Sequence, residues 1–373
     1  MIDRRTFLGL AGAGLLTAGV HPTPAVAETQ IPIPPGPGWT LLGQAPNALA
    51  QLPWDGSTLL TLFPDGKRIY YGYGNYGTNA GSASSRGIDI SYFDVELQSF
   101  AVAMPSYPTE EVNTFRRIGA AVAAPTIDPA WRIGSCAISR SGWHAAAGIS
   151  NAEHVFDVAR GLTDDELFVC GSAGSGTAVT PTIWRSTDAG ASWSIFFQEP
   201  VDSGYADGYE RFYWLARMGD ALYCRADLGS TFRRAAPMRK YDLVTRRWST
   251  VSNTGLKTGL VAANGGPLYV GNKIRRASDV QVVGAMAYFS IATGLYAFDG
   301  TRAIAMSKAV GSCQCLTIGD DGFLYAGTSA GAYRIKGTTA TLVSPGRLSS
   351  LAVAGGVLYS GAAQGTLYSK PLP

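Results

Sequence analysis

The densest concentration of side chains able to do chemistry is Tyr205-Ala206-Asp207-Gly208-Tyr209-Glu210-Arg211-Phe212-Tyr213-Trp214. Paired carboxylates are what acid/base cleavage of a glycosidic bond needs, and aromatic faces stack on sugar rings. Asp207 and Glu210 are therefore candidate acid/base groups, and Tyr205, Arg211, Tyr213 and Trp214 candidate ligand contacts. The same residues also suit a polar connection whose aromatics pack where a strand begins. A further carboxylate, Asp157, closes Glu153-His154-Val155-Phe156-Asp157 and could orient His154 as a base. No Ser nucleophile motif accompanies that histidine, so a hydrogen-bonded histidine at a strand start is the plainer expectation. Gly72-Tyr73-Gly74-Asn75-Tyr76-Gly77 has the glycine content of a phosphate loop but lacks the following Lys-Ser/Thr and helix. It reads instead as a long uncharged connection in which Asn75 and Tyr76 would recognise a ligand by hydrogen bonding and stacking. A plain exposed turn accounts for the same glycines.

Metal chemistry has little to work with. Beyond the N-terminal segment the histidines are His144 and His154, too few for a three-histidine site. Of the five cysteines, Cys136, Cys170, Cys224, Cys313 and Cys315, an odd count cannot pair fully within one chain. They are expected to be small buried apolar groups. Cys313 and Cys315 share a face in a regular strand, but a Cys-x-Cys pair falls short of a closed four-ligand site. No metal or other cofactor is expected.

These groups must be positioned by short strands. Apolar-aromatic runs recur at Arg68–Gly72, Leu167–Gly171, Leu268–Gly271, Phe323–Gly327 and Val357–Gly361, each ending in glycine. A second element usually follows, turning at Asp94, Asp188, Asp242 or Asp299, where an Asp side chain can bind the turn N–H groups. No amphipathic helix longer than about two turns is found after residue 40, judged by 3.6-residue periodicity. Repeats of roughly 35–55 residues with three or four strands indicate an all-β fold, a β-propeller. If the weakly patterned stretch from 105 to 150 hides one unit, the hairpin at Gly365–Tyr368 makes seven blades; six is the alternative count. A pair of β-sandwiches would not need this repeated unit. Ring closure calls for a strand from residues 39–62 beside the C-terminal strands. The low share of charged residues, 15%, fits blades buried on both faces, and the 46% of apolar residues with a net charge of only +3 excludes a disordered chain.

Ser186-Thr187-Asp188-Ala189-Gly190-Ala191-Ser192-Trp193 resembles the Asp-box, or BNR repeat, Ser-x-Asp-x-Gly-x-Thr-Trp, with Ser192 in place of Thr. The resemblance implies a sialidase-like propeller in which Ser186, Asp188, Gly190 and Trp193 form a folding device away from any active centre. It covers one blade, and Tyr241–Trp248 looks more like a kelch hairpin. No Arg-Ile-Pro segment of the sialidase type occurs; Arg117-Ile118-Gly119 and Arg132-Ile133-Gly134 lack the proline. By the same resemblance Tyr209 would be a nucleophile, with Asp207, Glu210 or Asp157 as acid/base.

Arg4-Arg5-Thr6-Phe7-Leu8, the mildly apolar run to Val20 and Ala25-Val26-Ala27 resemble a twin-arginine (Tat) export signal. The run is too short for a spanning helix of roughly 20 residues. The expected organisation is a signal peptide over 1–27, a Pro-rich linker over 28–38 and a single propeller over 39–373. An exported monomer follows, periplasmic, extracellular or associated with the envelope. The near-balance of 30 basic and 27 acidic residues makes no case for nucleic acid or an anionic membrane. The expected function is recognition of a glycan or exported protein through the mouth loops. The alternative is a glycoside hydrolase or lyase.

Overall fold

The computed structural model describes residues 33–51, 56–74, 87–127, 129, 133–175, 178–201, 210–228, 234–251, 268–270, 273–275, 279–291, 294–306, 310 and 312–373. Its strands build seven antiparallel four-strand meanders, the fourth carrying a short extra strand, Arg234–Ala235, together with two two-strand ladders, Ile133–Gly134 with Ile149–Ser150 and Leu268–Val270 with Lys273–Arg275. Blade 1 is Thr61–Asp65, Arg68–Gly72, Ile88–Asp94 and Ser99–Tyr107. Blade 2 is Arg116–Ile118, Ala121–Pro125, Cys136–Ile138 and His144–Ala145. Blade 3 is Ala152–Arg160, Leu167–Ser175, Ala178–Ser186 and Ser194–Gln198. Blade 4 is Arg211–Met218, Ala221–Leu228, Met238–Asp242 and Arg247–Val251. Blade 5 is Val280–Val283, Met286–Ile291, Gly294–Phe298 and Ala303–Ala305. Blade 6 is Cys313–Ile318, Leu324–Thr328, Gly331–Lys336 and Thr339–Pro345. Blade 7 takes Ala352–Ala354, Val357–Gly361 and Thr366–Pro371 from late in the chain and Thr40–Gln44 from early in it. The protein is a seven-bladed β-propeller.

Burial explains the unbroken apolar runs. Gly294–Phe298 and Leu324–Thr328 are buried at every position, because neighbouring blades cover both faces of each sheet. The core is accordingly divided among the blade interfaces. One cluster joins Ile138 of blade 2 to Trp184 of blade 3, and another joins Phe168 of blade 3 to Leu222 of blade 4.

The meander also sorts the connections by length. First-to-second and third-to-fourth turns leave one end of the sheets and are short: 66–67, 219–220, 284–285, 243–246 and 337–338. Crossovers between blades and second-to-third connections leave the other end, and they include 45–60, 73–87, 199–210 and 252–279. On the short-turn end one device repeats. Asp94 Oδ1 accepts the N–H groups of Glu96 and Leu97, Asp242 Oδ1 those of Val244 and Thr245, and Asp299 Oδ1 those of Thr301 and Arg302. The Thr301 hydroxyl and these N–H donors push the Asp299 carboxyl down to about 2.

The Ser186–Trp193 turn belongs to the same end. Ser186 Oγ accepts Gly190 N at 2.8 Å, and Asp188 Oδ1 accepts Ser192 N at 2.9 Å. Gly190 has φ +92°, and a Cβ there would meet Ala146 Cβ at 2.9 Å, so the position suits glycine twice over. Trp193 packs against the blade 2–blade 3 cluster. The described part of the Pro-rich segment lies against the ring, with Arg347 N donating to Pro35 O at 2.9 Å and Lys370 Nζ to Pro37 O at 3.0 Å.

All five cysteines are buried and free. Cys313 and Cys315 do not share a face as a regular strand would require. The register slips between them, a bulge that turns Cys313 toward blade 5 and Cys315 toward blade 7. Burial raises every one of these thiols above its ordinary value. A disulfide-exchange reagent at pH 8 should therefore find no fast-reacting thiol in the native chain and five after unfolding in guanidinium. One or more thiols reacting within seconds in the native state would contradict this.

Candidate functional site

The seven inner strands surround a channel, and a cavity of about 630 Å³ occupies its short-turn half. That volume lies within the usual range for small-ligand pockets, roughly 300–1,000 Å³. An ion cluster stands at its inner end. Arg116, opening blade 2, donates from Nε to Asp157 Oδ1 at 2.7 Å and from Nη2 to Asp157 Oδ2 at 3.1 Å. Its Nη1 crosses to Asp279 Oδ1 at 3.3 Å, just ahead of blade 5. The backbone completes the set: Leu215 N of blade 4 donates to Asp157 Oδ2 at 3.0 Å, and Leu316 N of blade 6 to Asp279 Oδ2 at 2.9 Å. One guanidinium and two carboxylates thus tie together five of the seven inner strands.

The electrostatics are uneven. Asp157 is 1% exposed and also accepts Val158 N at 2.8 Å. Asp279 is 23% exposed and faces the cavity. Burial lowers the Arg116 pKa, but Asp157 and Asp279 outweigh it, so the guanidinium ends above its ordinary value. Burial pushes the Asp279 carboxyl up, with Arg116 and the Leu316 N–H pulling the other way. Arg116 and Asp279 escape the sequence reading, because neither lies in a motif and they stand 163 residues apart. One faint sign is that Asp157 and Asp279 both precede valine at an inner strand.

Asp157, read from sequence as a partner for His154, is engaged by Arg116 instead. His154 Nδ1 lies 3.1 Å from Ser172 Oγ. At the long-connection end, however, the two sequence candidates meet. The His154 and Phe156 rings stack at 5.2 Å, and Phe156 lies 4.6 Å from the Tyr213 ring across the blade 3–blade 4 interface. The Arg211 guanidinium sits 5.8 Å from the Phe156 ring centroid, within cation–π range. Glu210 is fully buried at the start of the same strand. Trp214 turns to the other side, edge-on to Phe289 of blade 5 at 4.9 Å, as strand alternation requires. Asn75, Tyr76, Tyr205, Asp207 and Tyr209 lie outside the described residues. Among the described residues no cluster of three or more His, Cys, Asp or Glu could hold a metal ion, and no helix is long and apolar enough to cross a membrane.

No protein-family model matches the chain, and no curated protein matches it in sequence. Among solved structures it is similar to one described as the extracellular domain of a hybrid two-component system of B. thetaiotaomicron. The TM-score is 0.48 at 10% identity, over 89% of this chain and 39% of that one. A second structure of that domain, described as belonging to a one-component system, gives 0.47 at 10% identity over 89% and 40%. A computationally designed protein, Ika8, gives 0.43 at 10% identity over 88% and 100%. The chain spans about two fifths of the length of the first two. The blade count rests on the seven sheets themselves.

Proposed function

We propose that this is an exported binding propeller that takes a glycan or a protein ligand on its long-connection face. One observation carries the reading: the long connections all leave one end of the ring, and the other end carries only short turns of two to seven residues. Loops on a rigid scaffold are where recognition concentrates. The segments containing Asn75, Tyr76 and Tyr205 fall within the long connections 73–87 and 199–210. Tyr213 and Arg211 stand at that same end, against the buried Phe156 ring, and supply an aromatic and a cationic group suited to a sugar ring or a peptide side chain.

A glycan-array screen of the chain from Glu28 onward tests this. Binding without sugar release is expected. It should survive Asp207→Ala and weaken about fivefold in Tyr213→Ala, the loss of one aromatic contact worth about 1 kcal/mol. Release of reducing sugar that disappears in Asp207→Asn or Glu210→Gln would replace recognition with hydrolysis. Binding untouched by Tyr213→Ala would move the site off this face.

A further inference from the structure

The cavity in the short-turn half of the channel has its own chemistry, separate from the long-connection face. It runs from the Arg116–Asp279 pair out to Gly66, Gly119 and Asp320 in the short turns. Four arginines line it, and three are matched by carboxylates. Arg116 holds Asp157 and Asp279, Arg117 meets Asp65 at 2.9 Å, and Arg160 pairs with Asp164. Arg217 is the exception. It is half-buried and donates from Nε to Gly219 O at 3.2 Å, and among the described residues no carboxylate lies within ion-pair distance of it. Burial and the neighbouring Arg160 hold its guanidinium below the ordinary arginine value, with the more distant Asp220 and Glu166 pulling the other way. Deeper in, the Asn113 side-chain oxygen is buried with no hydrogen-bond partner among the described residues, and Asn113 lines the cavity. A buried amide oxygen left in this state is costly, and a ligand hydroxyl would satisfy it.

We propose that this half of the channel binds a small hydroxylated carboxylate, a sugar acid, with its carboxylate on Arg217 and its hydroxyls toward Asn113 and the Arg116–Asp279 pair. The guanidinium fork suits a planar carboxylate bidentately. Thr61, Thr114 and Thr317 on the wall supply further hydroxyl partners. The site needs none of the residues on the long-connection face.

Calorimetric titration with D-glucuronate, D-galacturonate, D-gluconate and D-glucose tests it. At least one of the acids is expected to bind, with glucose at least about tenfold weaker, the scale of one charge-assisted contact. Arg217→Gln should lose at least about tenfold of that affinity, Arg217→Lys less, and Tyr213→Ala none. Arg217 makes few native contacts, so its variants should keep the wild-type circular dichroism and melting temperature. The proposal is overturned if none of the three acids binds, if glucose binds as well as they do, or if Arg217→Gln binds unchanged. Failure here leaves the glycan-array result standing, and the reverse also holds.

Discussion

Replacing Arg116 by methionine is expected to destabilise the ring by about 3–5 kcal/mol at neutral pH, the usual cost of stranding a buried charge. That is a large part of the 5–15 kcal/mol typical of a folded domain. Without the guanidinium, Asp157 and Asp279 face each other across a site where the remaining donors are backbone N–H groups and the Gln281 side-chain amide, 3.2 Å from Asp279 Oδ1. The Asp279 carboxyl, already raised by burial, would lose the Arg116 charge that pulls it down and rise further in the folded state. A carboxyl raised on folding destabilises while ionised and stops doing so as pH falls through its folded pKa toward the unfolded one. Arg116→Met should therefore regain stability on acidification below neutrality. The two aspartates should not behave alike. Asp157 receives both main arms of the guanidinium, whereas Asp279 is already raised by burial. Asp157→Asn is expected to cost more than Asp279→Asn at neutral pH, and Asp279→Asn should remove that group's own gain on acidification. Urea unfolding from pH 4 to 8 measures all three. A midpoint for Arg116→Met that matches wild type throughout would show that the cluster does not hold the ring.

The repeat was legible because each blade needs the same local solution. Asp94, Asp242 and Asp299 occupy one turn position and make one hydrogen-bond pattern, so their spacing could be read directly. The closing strand was expected for a physical reason, since a ring has no stable free edge. Blade 2 was hidden for an equally physical one. Its strands are two to five residues long, and its second strand is Ala121-Val122-Ala123-Ala124-Pro125, without an aromatic residue. Small residues suffice there because blade 1 brings Tyr107 and Phe115 leads into the blade's first strand, filling the interface from outside its own sheet. The ion cluster could not be read, because its partners lie 41 and 163 residues apart and only ring geometry makes them neighbours. Arg211 and Tyr213 were each visible singly, but their meeting with Phe156 across two blades was not. The Cys313–Cys315 pair shows the opposite failure, a local rule overridden by one inserted residue.

A chain lacking Thr40–Gln44, beginning at Pro46, is expected to lose most of its stability, because blade 7 is assembled from both ends of the sequence. Thr40 pairs with Ser369, Leu41 with Tyr368, Gly43 with Leu367 and Gln44 with Thr366, and Ala45 N donates to Gly365 O at 2.8 Å. Removing them leaves Thr366–Pro371 as an unpaired edge, a template for aggregation. Trp39 leaves the blade 6–blade 7 cluster and Leu42 the cluster between blades 7 and 1. The ladder bonds contribute about 1 kcal/mol each, and burying each of the two apolar side chains about 1.5–3 kcal/mol. The loss is thus comparable with the whole stability of an ordinary domain. Because the missing strand is extended and pairs through its backbone, a synthetic Gly38–Ala45 peptide should restore folding when added in excess. The same peptide with proline in place of Ala45 should do so less well, since proline removes the N–H that donates to Gly365 O. Calorimetry and size-exclusion chromatography with and without each peptide measure the effect. A truncated chain that melts with the wild type, or rescue by both peptides alike, would mean that the ring closes by some contact other than this strand.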